Sequence, residues 1–186
     1  MIRAKASYFF YFGASSCLMP FIALYYAQNG LSASQIGLLA GLLPLVTLVS
    51  APLWSGLADV TGRHRVLLLL ALGGSIVAVL GLSQTGSLGG LIALAVLNAF
   101  CLAPVIPLID NTVVAMLGER RSLYGQQRLW GAVGWGAVAP LAGRLMDSLG
   151  MAAAFGGYAL LMFGCLLVVA GLPVGRTRIG GSYRRG

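Results

Sequence analysis

Charge is scarce in this chain. Of 186 residues, 12 are Lys or Arg and 4 are Asp or Glu, so charged side chains make up 9%. Soluble domains carry about 25%. His64 is the sole histidine and Lys5 the sole lysine. No nucleophile–base set can be assembled around one histidine, and no glycine-rich loop ends in a phosphate-binding lysine. An enzyme and a nucleotide-driven machine are both left without the residues they need. Cys17, Cys101 and Cys165 lie in separate apolar stretches, with neither metal-ligand spacing nor a disulfide framework. They read as small hydrophobes in helix packing. No metal and no cofactor are expected.

What the chain has is apolar length. Hydrophobic residues make up 59% and mean hydropathy is +0.91. One soluble core of this size cannot hide so much apolar surface, so the expected solvent is lipid. A helix needs about 20 apolar residues to cross the hydrocarbon core. Six stretches meet that length: about 7–28, 34–58, 65–84, 88–117, 125–147 and 150–172. Turn-forming residues separate them, most weakly at Ser83 to Ser87. No small-residue cleavage site follows the first stretch before the second begins, so it reads as a span and not a signal peptide. Residues 1–173 are expected to form one six-helix transmembrane bundle. Residues 174–186 read as a basic cytoplasmic tail, or the start of a central loop cut short.

The net charge of +8 could point to nucleic acid, but its distribution does not. The basic residues punctuate the apolar runs instead of lining one face, so no nucleic-acid partner is expected. With the N-terminus inside, every Lys and Arg except Arg144 falls in the N-tail, the second and fourth loops with their helix ends, or the C-tail. That asymmetry places both termini in the cytoplasm.

A weak repeat runs through the chain at an offset of 88 residues. Gly37 matches Gly125, Pro52-Leu53 matches Pro140-Leu141, and Leu57, Asp59 and Gly62 match Leu145, Asp147 and Gly150. The unit holds three spans, an odd number, so the second copy is inverted relative to the first. The fold expected is all-α and membrane-integral, six helices built as two inverted three-helix repeats, a construction used by secondary transporters. Prolines at 20, 44, 52, 104, 107 and 140 are expected to kink their helices.

The stretch from Pro52 to Arg65 resembles the signature between the second and third helices of the major facilitator superfamily. Asp59, Gly62, Arg63 and Arg65 fit it. Ser55 stands where a glycine is usual, and Val60 and His64 replace basic residues. Pro104-Val-Ile-Pro107-Leu-Ile-Asp110 and Tyr124-Gly125-Gln-Gln-Arg128-Leu-Trp130-Gly131-Ala-Val-Gly134-Trp135 are similar to the fourth and fifth helices of the branch holding the phenylpropionic acid transporters and lactose permease. The resemblance covers the N-terminal six-helix half of that family's usual twelve-helix protein. It implies a bacterial inner membrane, a cavity between two halves, and alternating access. It also implies that Asp110, Arg128 and Trp135 face the solute, and that Asp59, Gly62, Arg63 and Arg65 act as a conformational latch. Asp110 is shorter than the glutamate lactose permease carries there.

Position supports the same residues. Glu119 lies midway between Asp110 and Arg128, so a hairpin there brings both to similar depth. Charges inside a membrane are costly and mark function by default. Arg128 can grip an anion or hydroxyls bidentately, Asp110 can hold Arg128 or carry a proton, and Trp130 and Trp135 offer aromatic faces. The competing readings are a structural ion pair, a snorkelling Arg128 and a solvated Asp59. Tyr8 to Phe12 and Tyr25-Tyr26 read as interface anchors, His64 as solvent-exposed, and Arg144–Asp147 as a surface pair. Two functions remain open. One is a secondary carrier, a proton symporter of an aromatic or other organic acid or a sugar. The other is a receptor or assembly partner that keeps the fold without transporting. The expected partners are the bilayer, a small solute and a second six-helix half, either a missing C-terminal half or a second copy.

Overall fold

The computed structural model describes residues 1–172; the basic segment 174–186 lies outside them. Among the described residues the chain folds as α1 Ile2–Leu18, α2 Ile22–Gln28, α3 Ala33–Thr61, α4 His64–Leu82, α5 Leu88–Leu102, α6 Val105–Leu117, a 3-10 turn Gly118–Leu123, α7 Tyr124–Leu149 and α8 Met151–Ala170. It is an all-helical membrane protein. Five helical runs, Ile2–Gln28, Ala33–Thr61, His64–Leu82, Leu88–Leu149 and Met151–Ala170, are long and apolar enough to cross a bilayer.

The 62-residue run cannot be one helix, since at 1.5 Å per residue it would extend about 93 Å, three times the ~30 Å hydrocarbon core. It breaks at Ala103–Pro104 and reverses in the 3-10 turn, where Gly118 takes φ +54° and Arg120 leaves helical geometry. Asp110 and Arg128, on either side of that turn, come within 3.8 Å, whereas a straight helix would hold them about 27 Å apart.

Local chemistry sets the other ends. Ser32 and Gln35 form a capping box at the start of α3, with bonds of 2.8 and 3.3 Å. The Ser87 hydroxyl accepts from Gly90 N–H at the start of α5. Gly62 closes α3 at φ +62° and Gly150 closes α7 at φ +70°, two backbone states that favour glycine. These glycines are the pair matched by the 88-residue offset.

The prolines act unequally. Pro20 falls in the break between α1 and α2, and Pro104 caps α6. Pro107 therefore stands in the first turn of α6, where its missing N–H costs nothing. α3 continues through Pro44 and Pro52, and α7 through Pro140.

In section, α1 packs between α7 and α8, α4 between α8 and α5, and α3 leans on α5; α6 touches α1, α4 and α7. Tyr8, Leu68, Leu72, Tyr158 and Met162 fill the centre. Arg3 donates to the Gly171 carbonyl, so the start of α1 and the end of α8 share one end of the bundle. The Tyr25 hydroxyl donates to the Leu82 carbonyl at 2.6 Å, joining α2 and α4 at the other. Tyr25 and Tyr26 are both buried, so packing and this bond hold them, not an interface. α3 leaves Leu45, Leu53 and Leu57 exposed, and α7 leaves Val133, Leu141 and Leu145 exposed, the same positions 88 residues on.

Candidate functional site

The seam between α1 and α7 is the most extensive helix–helix contact among the described residues, and it builds the site. A Cβ at Gly134 would stand 2.9 Å from Phe9 Cα and 3.0 Å from its carbonyl carbon. Only glycine lets the two backbones meet there. Gly13 lies against Val138 and Gly131 lies under the Phe12 ring, so the two helices run parallel. That places the first turns of α7 beside the first turns of α1.

Three helices then converge. Tyr8 of α1, fully buried, donates its hydroxyl to Asp110 Oδ1 of α6 at 2.5 Å. Arg128 of α7 brings Nη1 to 3.8 Å from Asp110 Oδ2 and donates from the same nitrogen to the Tyr124 hydroxyl at 3.2 Å. The carboxylate is thus gripped on both oxygens. Its side chain is 22% exposed and that of Arg128 50%. A guanidinium has five N–H donors, so Arg128 keeps donors free on its open side.

Trp135 lies seven residues beyond Arg128, which on a helix is the same face about 10 Å further along, and it is half-buried. Trp130 does not share that face. Two residues from Arg128 is a turn of roughly 200° at 3.6 residues per turn. The Lys5 ammonium lies 5.6 Å from the Trp130 ring centroid. The aromatic pair expected at one site is therefore divided, and Trp135 alone faces with Arg128.

The second group sits apart from the first. Asp59 ends α3, and its Oδ1 lies 3.4 Å from His64 Nε2. Gly62 makes the turn, and Arg63 N–H donates to Thr61 Oγ1 at 3.3 Å. Arg63 and Arg65 are exposed and pair with no carboxylate among the described residues. His64 is half-buried against Asp59, not solvated. Arg144 and Asp147 form no ion pair among the described residues.

Tyr8 is the residue the sequence conceals. It stands in an aromatic run that reads as an interface anchor, yet it is the partner of the one acidic residue lying more than a turn from a helix end. Its contact spans 102 residues, so no local pattern announces it. Tyr124 is closer to view, one helical turn before Arg128.

The MFS_1 like family matches residues 1–177. The maltose permease of Geobacillus stearothermophilus is 31% identical over 169 residues, covering 89% of this chain and 42% of that protein. The uncharacterized transporter YwbF of Bacillus subtilis (strain 168) is 30% identical over 166 residues, 87% of this chain and 39% of its own. The multidrug resistance protein MdtG of Dickeya zeae (strain Ech586) is 34% identical over 170 residues, 86% and 40% respectively. The chain spans well under half the length of these curated relatives. No solved structure matches it.

Proposed function

The chain belongs to the major facilitator superfamily, through its MFS_1 like family, and we propose that it forms one half of a proton-coupled secondary transporter for a small organic solute. The solute is an aromatic or other organic acid, or a sugar. The observation that carries this reading is the Tyr8–Asp110–Arg128 triad, ionisable groups held inside an apolar bundle and open on one side. One relative is named as a maltose permease and another as a multidrug resistance protein, which supports an organic solute and leaves acid and sugar both in play.

The cycle follows from charge. With Asp110 ionised, Arg128 is paired and the site is neutral. A proton on Asp110 Oδ2 ends that pairing and turns the guanidinium toward a solute carboxylate or hydroxyls, which it binds in a planar fork. Tyr8 stays bonded to Asp110 in either state, because with the proton on Oδ2 the Oδ1 atom still accepts from the tyrosine hydroxyl. Trp135, on the same face, stacks on a ring. Loss of the proton on the far side restores the ion pair and expels the solute. An ion gradient is the energy source, and no cofactor takes part.

Alternating access needs a second wall. The matching apolar faces of α3 and α7 are offered to a second six-helix half, which is either the rest of a longer protein or a second copy. Asp59, Gly62, Arg63 and Arg65 then latch the two halves in one conformation. The asymmetry of the basic residues supports cytoplasmic termini, and the bacterial sources of the relatives support an inner membrane.

The test is uptake of labelled maltose and benzoate by membrane vesicles from cells making the natural full-length protein, under an imposed pH gradient. Asp110→Asn and Arg128→Gln are each expected to abolish gradient-driven accumulation at unchanged membrane levels. Normal accumulation by both variants would overturn the site. Binding without accumulation by the unaltered protein would make it a receptor.

A further inference from the structure

A second polar cluster lies away from the triad, joining α4, α5 and α8. The Tyr158 and Ser75 hydroxyls are 2.5 Å apart, and the Ser75 hydroxyl donates to Asn98 Oδ1 at 2.7 Å. Tyr158 and Ser75 are buried, at 2% and 0% exposure. Because Ser75 has one proton and gives it to Asn98, Tyr158 must be the donor to Ser75. The chain of bonds therefore has one direction, Tyr158 to Ser75 to Asn98.

Asn98 presents Oδ1 to the Ser75 hydroxyl, which leaves its N–H₂ group directed away from the cluster. It makes no hydrogen bond among the described residues, and it is not among their enclosed, unpartnered atoms. Asn98 itself is half-buried. It stands ten residues into α5 (Leu88–Leu102), about 15 Å along the helix and near the middle of a ~30 Å hydrocarbon core. Between Val66 and Leu102 there is no Asp, Glu, Lys, Arg or His. Two free N–H donors facing lipid at that depth would be costly. Facing water or a solute, they cost nothing.

We propose that Asn98 lines a water-filled solute path at mid-membrane depth and gives its amide N–H₂ to an acceptor oxygen of the passing solute, with Ser75 and Tyr158 as positioning residues. The ligand chemistry is an oxygen acceptor, a carboxylate or a hydroxyl. This second contact rests on the carrier reading for its use, but its place beside water does not. Asn98 and Asp110 are twelve positions apart on consecutive helices, so the contact marks a separate station on the path and not part of the triad.

Thiol labelling tests this without transport. In the full-length protein with Cys17, Cys101 and Cys165 replaced by alanine, Asn98→Cys is treated with a membrane-impermeant cationic methanethiosulfonate. Such reagents attack thiolates in water and spare thiols in lipid. Asn98→Cys is expected to react, and the neighbouring Leu97→Cys, at a position 42% exposed on the apolar surface, is expected not to. Maltose or benzoate is expected to slow the reaction. Leu94→Cys and Leu102→Cys, one turn to either side, repeat the test if Asn98→Cys fails to fold. Labelling at the rate of Leu97→Cys overturns the water-filled path. Labelling that neither solute slows overturns the solute contact. Either result leaves the uptake assay to judge the carrier reading alone: a protein that accumulates solute with Asn98→Cys unreactive is a carrier whose path lies elsewhere.

Discussion

Tyr8 carries a prediction that no other residue shares. Its hydroxyl is bonded to a carboxylate at 2.5 Å inside the bundle, and hydrogen bonds to charged groups contribute about 1.5–3 kcal/mol. Tyr8→Phe keeps the ring and removes that bond. It is expected to lower the thermal stability of the detergent-purified protein by about that amount and to impair uptake; an unchanged melting temperature would show that the bond is idle. Arg128→Lys keeps the charge but loses the planar fork. Its KM for the solute is expected to rise about tenfold, the equivalent of one charge-assisted bond, as read from initial uptake rates. Asp110 and Arg128 are legible in the sequence because charges in apolar runs stand out. The helical period also separates Trp130 from Trp135 on opposite faces once Arg128 is taken as the reference. Tyr8 is not legible, since an aromatic near a helix end has a ready explanation and its partner is remote in the chain.

At the scale of elements, the α1–α7 seam holds the site together. Gly134→Val places two methyl groups against the Phe9 backbone. Overpacking of this kind costs about 1–3 kcal/mol, and here it also pushes Tyr8 away from Arg128. Reduced thermal stability together with lost uptake is expected, and a stable, active variant would mean that the seam can open without harm. Helix ends are legible where glycine or serine marks them, as at Gly62, Gly150, Ser32 and Ser87. The division of residues 88–117 into α5 and α6 is not. Apolar periodicity runs unbroken through Pro104, and hydropathy cannot say which of two nearby prolines ends a helix. The capping role of Pro104 decides it, because Pro107 then fits the first turn of α6.

For the whole molecule, the family and the all-helical membrane fold are visible from composition, turn spacing and the loop after α3, because lipid leaves a helix few alternatives. The arrangement of helices around α1 is not, since every helix is apolar on most sides and amphipathicity gives no face. In the proposed carrier a second half supplies the other wall, and the open glycines bear on where it would pack. A Cβ added at Gly37 or Gly41 of α3 would meet nothing within 4 Å, although the spacing of the two suits close helix contact. Gly37→Leu with Gly41→Leu is expected to leave the stability of the isolated chain within about 0.5 kcal/mol and to weaken its pairing with a second half, read as the mass of the protein in lipid particles. Unchanged mass and uptake would place the partner on another face. The most direct measurement of the central claim is proton entry with solute. In lightly buffered vesicles containing the full-length protein, a pH electrode follows the medium after maltose or benzoate is added. The account predicts alkalinisation with the unaltered protein beyond that seen with Asp110→Asn; identical traces from the two would contradict it.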